Sequence, residues 1–182
     1  MSRLQMVSTE PEDPALRQMF DEVRARGYPL PNLYRVIGLA PPMLRAWLDF
    51  AWPLRLDAKT PRRLRELLIL RGAQVSGTRY EWVHHAAMAL AAGVTQAQVD
   101  AIEAGDACEA SALFDAQEKA VLRLAAEVTR GPAASAAAIE SLRLNGFDEA
   151  GIVELTLTAS FYVCVARFLQ SMQVELEAGL GA

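Results

Sequence analysis

Apolar residues recur along this chain every three or four positions, and strict apolar–polar alternation over the length of a strand is nearly absent. Such spacing puts one apolar face on each of a series of helices and predicts an all-α protein. Helix punctuation divides the series. Asp13-Pro14 pairs a cap residue with a proline suited to the first helical position, and Gly27 offers an end. PLPNLYRVIGLAPP reads as a loop, a short helix starting near Asn32 and a stop at Pro41-Pro42, after which MLRAWLDFAW makes a second short helix closed by Pro53. Thr60-Pro61 repeats the cap-and-proline signal and opens a helix to about Ser76, which Gly77 breaks. Thr78-Arg79-Tyr80-Glu81 has the form of a capping box, and the helix it starts runs to Gly93. Thr95, Asp115, Ser135 and Asp148 cap the remaining four, the last of them long.

With short loops and no linker, the pattern predicts one domain over 1–182: a helical bundle with a core motif at 61–104 and residues 1–56 packing on it as an N-terminal helical extension. RELLIL and VELTLT each set a glutamate, Glu66 and Glu154, at the head of an apolar helix, as duplicated helical hairpins would.

Length and composition narrow the function classes. A chain of 182 residues buries a sizeable core without disulfides or metal. Its hydrophobic fraction of 52% exceeds what a core of this size needs, which predicts subunit interfaces. The net charge of −4 gives no global attraction to nucleic acid or anionic lipid. Arg55, Lys59, Arg62, Arg63 and Arg65 are a local basic exception, read as a solvated helix entrance. The acids and prolines of MSRLQMVSTEPEDP leave no apolar core for a signal peptide. Glu154, Arg167 and Gln170 interrupt the longest candidate membrane segment, Ile152 to Met172. Cys108 and Cys164 form neither a disulfide framework nor a Cys-x-x-Cys pair, so the expected compartment is the cytoplasm.

The candidate chemistry lies in RELLILRGAQVSGTRYEWVHH, residues 65–85, which holds both histidines of the chain. At 100° per residue Glu66 shares a face with Ile69, Leu70 and Ala73, where an ionised carboxylate needs a partner. On the next helix Glu81, His85, Met88, Ala89 and Ala92 share one face, and the short connection through Gly77 makes the two helices antiparallel neighbours. Glu66 then approaches the Glu81/His85 edge and builds a carboxylate–imidazole cluster in an apolar setting. Simpler roles stand beside this one: Glu81 as capping-box acid, His85 as a hydrogen-bonded core residue, and Arg71 as either a carboxylate ligand or a structural ion pair.

The motif ELLIL…G…YEWxxH, followed by GVT and a capped helix, resembles the carboxymuconolactone decarboxylase family, whose superfamily includes alkylhydroperoxidase-D-like proteins. In the peroxidase branch a Glu is followed after eleven residues by Cys-x-x-Cys, and after three more by His. Here those positions are Glu66, Thr78, Glu81 and His85. With no thiol at Thr78 or Glu81, dithiol peroxidase chemistry is not expected. The resemblance implies an alkylhydroperoxidase-D-like helical bundle, a trimer or hexamer, and no organic cofactor or metal. It also implies a lyase or related proton-transfer enzyme for a small carboxylated or lactone-like compound. His85 would be its general acid and Glu66 the group that orients it, with Tyr80, Glu81, Trp82, Arg71 and Met88 around the substrate. A non-catalytic helical oligomer and a metal enzyme using Glu66, Glu81 and His85 are the alternatives.

Overall fold

The computed structural model describes residues 2–180, and every regular element among them is helical. The α-helices of this segment are α1 (Pro14–Ala25), α2 (Asn32–Ile37), α3 (Pro41–Trp52), α4 (Arg62–Ser76), α5 (Arg79–Ala91), α6 (Gln96–Glu103), α7 (Ala116–Arg130), α8 (Ala136–Leu144) and α9 (Glu149–Met172). A π-helical turn, Pro53–Asp57, continues from α3, and a 3-10 turn, Asp106–Ala110, precedes α7. Most caps form as expected. Asp13 accepts from the N–H groups of Ala15 and Leu16, and Thr95 with Gln98 and Asp115 with Glu118 make reciprocal capping boxes.

Three boundaries depart from the sequence reading. Pro41-Pro42 is not a stop but the first turn of α3, where a missing N–H leaves no bond unmade. Pro53 ends α3 without breaking the helical path, which widens into the π turn. Thr60 does not cap α4, whose N-cap is Pro61 with no side-chain cap; Glu154 of α9 instead holds the entry segment, accepting from the N–H of Lys59 at 2.9 Å and of Thr60 at 2.8 Å.

The chain divides into two compact units, Met1–Leu56 with Leu169–Ala182, and Asp57–Phe168. In the first, α1 and α2 pack on α3 around buried Leu16, Phe20, Leu44 and Leu48. The C-terminal segment joins it through hydrogen bonds: Arg3 N–H to the Met172 carbonyl at 2.9 Å, and Asn32 N–H to the side-chain Oε1 of Glu177 at 2.6 Å.

The second unit is built on α4, which packs against α5, α6 and α7. Every residue from Leu64 to Arg71 is buried, so this helix is enclosed on all sides, as a central helix must be. Its polar side chains therefore all need partners. Arg63 reaches Glu118, Gln98 and the Gly93 carbonyl, so the basic stretch is not a uniformly solvated entrance. The last helix, α9, matters for a different reason. By length and composition, with mean hydropathy 1.6, it qualifies as a membrane span, which the count of interrupting charges in the sequence did not indicate. Half of that window is buried, with Leu155, Ala159, Tyr162 and Ala166 in the core. It is read as a core helix.

Candidate proton-transfer site

The α4–α5 turn fixes the geometry. Gly77 adopts φ +66°, the left-handed conformation that lacks a Cβ clash only for glycine. Its N–H bonds the Gln74 carbonyl at 3.2 Å, and the Thr78 N–H bonds the Ala73 carbonyl at 2.9 Å. These two bonds make a Schellman ending, which reverses the chain and sends α5 back along α4. Glu66 in the second turn of α4 thereby meets His85 in α5.

Glu66 Oε2 lies 2.8 Å from His85 Nδ1, with the carboxyl fully buried and His85 4% exposed. Arg62, one turn before Glu66 on α4, pairs with its other oxygen Oε1. Burial pushes the Glu66 carboxyl toward protonation, but the facing His85 and then Arg62 outweigh it and hold its pKa below the usual value. Glu66 is thus the acceptor, and the Nδ1 proton of His85 points to it. Nε2 is left as the nitrogen that changes protonation. Tyr162 of α9 stands edge-on to the imidazole at 4.9 Å between centroids. The Sδ of Met88 lies 3.9 Å from Arg62 Nη2, which puts Met88 on the Glu66 side of the cluster.

The other predicted residues divide. Tyr80 is buried, and its ring lies 4.6 Å from that of His84. Trp82 is half-buried in the first turn of α5. Arg71 belongs elsewhere: fully buried, it binds Gln74 at 2.6 Å, Asp106 at 2.8 Å and Glu109 at 2.9 Å. Of the two roles open to Arg71, the structure shows the ion pair. Burial raises the pKa of the adjacent Cys108 thiol, and Cys164 is exposed on α9.

Glu81 corrects the capping-box reading. The Thr78 N–H that the box needs is already bonded to Ala73, and the Thr78 hydroxyl is 2.8 Å from that of Ser76. Thr78 makes no side-chain cap. Glu81 is 3% exposed, and among the described residues neither of its carboxyl oxygens meets a hydrogen-bond partner at good geometry. Burial, opposed by the Thr78 side chain, pushes its pKa up to about 8. Glu66, Glu81 and His85 do not make a metal-holding group: among the described residues no three His, Cys, Asp or Glu side chains are placed to hold a metal ion. The donor set of the metal alternative is therefore not assembled.

Sequence reasoning missed Arg62, Arg65 and Tyr162. Arg62 carried a signal, since it precedes Glu66 by four residues on one helix face. Arg65 is buried, and burial with the neighbouring Arg62 lowers its pKa, Glu154 and Glu66 opposing. Tyr162 lies far along the chain, and no local pattern joins it to His85.

Residues 41–127 match the Carboxymuconolactone decarboxylase family. In fold, the chain is similar to an uncharacterized peroxidase-related protein with an alkylhydroperoxidase AhpD core from Ralstonia eutropha JMP134. That likeness has a TM-score of 0.83 at 18% identity over 97% of this chain and 93% of that one. A peroxidase-related protein from Silicibacter sp. TM1040 gives 0.81 at 19% identity, over 97% and 92%. The debrominase Bmp8 in complex with 2,3,4-tribromopyrrole gives 0.74 at 21% identity, over 97% and 91%. Comparison with curated proteins gives no match.

Proposed function

We propose, for a chain that belongs to the carboxymuconolactone decarboxylase family and its alkylhydroperoxidase-D-like superfamily, a cofactor-independent proton-transfer reaction of lyase type on a small carboxylated or lactone-like compound. The observation that carries this reading is the buried contact of His85 Nδ1 with Glu66 Oε2 at 2.8 Å. A histidine held this way has one defined tautomer and one defined ring orientation, the two requirements of an efficient proton donor. Arg62 keeps Glu66 ionised, so the carboxylate orients the ring without taking its proton.

In the decarboxylating form of the reaction, the bond from the substrate's α-carbon to its carboxylate breaks. Its electron pair moves into the conjugated carbonyl as an enolate and CO₂ leaves. His85 then delivers the Nε2 proton to carbon and is reprotonated from water. Apolar surroundings favour the diffuse enolate over the compact carboxylate. Thiol peroxidase chemistry is not proposed, because Thr78 and Glu81 offer no thiol where that chemistry would need one.

The test is solvent-deuterium exchange at the α-carbon of α-angelica lactone, a small unsaturated lactone, followed by proton NMR. Wild-type protein should catalyse exchange and His85→Asn should lose it by roughly a hundredfold or more. Equal exchange in both proteins would refute the role of His85.

The same reading assigns the working form to a cytoplasmic homo-oligomer, a trimer or hexamer. Its support is the outer stripe of α9, where Val153 and Leu157 are exposed one turn apart and Cys164 continues the line.

A further inference from the structure

Glu81 is a buried acid without an explanation in the fold. Buried carboxyls in native proteins are bonded, and each exception calls for a reason. The structural reason available here, a capping box, is excluded because the Schellman bond takes the Thr78 N–H and Ser76 takes the Thr78 hydroxyl. An ion pair is excluded too: among the described residues no cation pairs with Glu81. The charged neighbours on α4 are engaged with others, Arg62 with Glu66 and Arg63 with Glu118. The start of α5 favours a carboxylate by only about 1 kcal/mol. Desolvation of a charged, unbonded carboxylate costs several times that. Glu81 is therefore a neutral acid at physiological pH, and among the described residues only the Thr78 side chain acts on its carboxyl, so its O–H remains a donor for a ligand.

Its position gives the donor a use. Glu81 precedes His85 by one turn on the same face of α5, and the two are buried alike at 3% and 4% exposure. A ligand that reaches the imidazole therefore lies against the face Glu81 occupies. The two carboxyls of the site are also driven in opposite directions, Glu66 toward the ion and Glu81 toward the acid. That divergence separates a group that orients a base from a group that donates a proton or hydrogen bond.

We propose that Glu81 is the oxyanion-stabilising residue of this site, donating its carboxylic O–H to the substrate carbonyl oxygen on which charge builds as the enolate forms. The inference rests on the proton-transfer reading and adds what that reading lacks, since Arg71 is bound to Asp106 and Glu109 and the Tyr80 ring packs on His84. It also narrows the substrate to a compound with a carbonyl conjugated to the reacting carbon. As His85 moves its proton to or from carbon, Glu81 keeps its own proton in a shortened O–H···O⁻ bond, so no net charge is left on the acid. Tyr80 and His84 on α5, Glu66, Arg62 and Arg65 on α4, and Tyr162 on α9 are the titratable or charged groups of the surrounding helices. None of these shifts Glu81, whose carboxyl is raised by burial and lowered only by the Thr78 side chain.

The test uses 3,4-dinitrophenolate as an oxyanion probe, its binding read from the absorbance of the anion, alongside the lactone exchange assay. Wild-type protein should bind the probe at neutral pH and release it once Glu81 ionises. Glu81→Gln, which keeps a neutral N–H donor, should bind without that alkaline loss. Glu81→Met, of similar volume and no donor, should weaken probe binding at least tenfold and slow exchange by about a hundredfold or more. Circular dichroism establishes that both variants fold. His85→Asn should keep the probe. Equal binding by wild type and Glu81→Met, or no binding by wild type, overturns the proposal. Glu81-dependent binding without lactone exchange would remove the lyase reading and leave the oxyanion site. Exchange that needs His85 but not Glu81 would remove the oxyanion site alone.

Discussion

Replacing Glu81 by Gln should stabilise the protein, and by an amount that grows with pH. In the unfolded chain the carboxyl ionises around its ordinary value of 4.5, whereas in the folded protein it holds its proton to about 8. The folded-state pKa is raised, so the folded protein binds the extra proton throughout the interval between the two values. Stability is then whole below the unfolded pKa and is lost as pH rises toward about 8. At 1.36 kcal/mol per pH unit, the loss is roughly 2–3 kcal/mol between pH 5 and pH 7 and approaches about 5 kcal/mol in full. The amide variant does not titrate and removes that slope. Its own packing and hydrogen-bonding offset is constant with pH, so it shifts the comparison without bending it. Urea unfolding of both proteins at several pH values, at one fixed protomer concentration, reads the difference directly. A gap between the two that stays constant from pH 5 to pH 7 would show that Glu81 ionises normally in the folded state, and would remove the neutral donor on which the oxyanion assignment depends.

Other outcomes follow from the same geometry. His84→Asn should leave lactone exchange within about threefold of wild type, while His85→Asn loses it, because only the latter ring is held by Glu66. Glu66→Gln should slow exchange almost as far as His85→Asn; wild-type kinetics in this variant would show that the carboxylate does not select the tautomer. Arg71→Met should lower stability by roughly 1–3 kcal/mol, since it leaves Gln74, Asp106 and Glu109 without a shared partner, and should barely alter exchange. Sedimentation at micromolar protomer should show a trimer or hexamer, and a folded monomer there would refute the assembly.

Much of this was legible because helix signals are local. Asp13, Thr95 and Asp115 cap where they stand, and the antiparallel return that brings Glu66 to His85 needs only Gly77 and the 3.6-residue period. What failed was set at long range. Glu154, more than ninety residues later, holds the N–H groups of Lys59 and Thr60 that lead into α4, while Thr60, the obvious local cap, does not cap the helix. Nothing local decides between ligand and ion pair for Arg71, because its partners, Asp106 and Glu109, sit in a short 3-10 turn that no periodicity announces. Arg65 and Tyr162 join the cluster only because α4 is enclosed on every side, which its own pattern suggests without naming the neighbours.

The error at Glu81 differs in kind, because both competing motifs are local and correctly recognised. Ser76-Gly77-Thr78 can end α4 in a Schellman turn, and Thr78-x-x-Glu81 can begin α5 with a capping box, but the two require the same Thr78 N–H. The ending bonds it to Ala73 at 2.9 Å. It prevails for a steric reason: Gly77 at φ +66° already directs the following N–H back along α4, and a tight reversal leaves no other direction. Had the box formed, Glu81 would accept a backbone N–H, favour its ionised form and serve only the helix. Losing that N–H leaves the same side chain buried, neutral and available. The competition of two turn motifs for one proton thus decides whether the acid one turn before His85 is a structural cap or part of the chemistry.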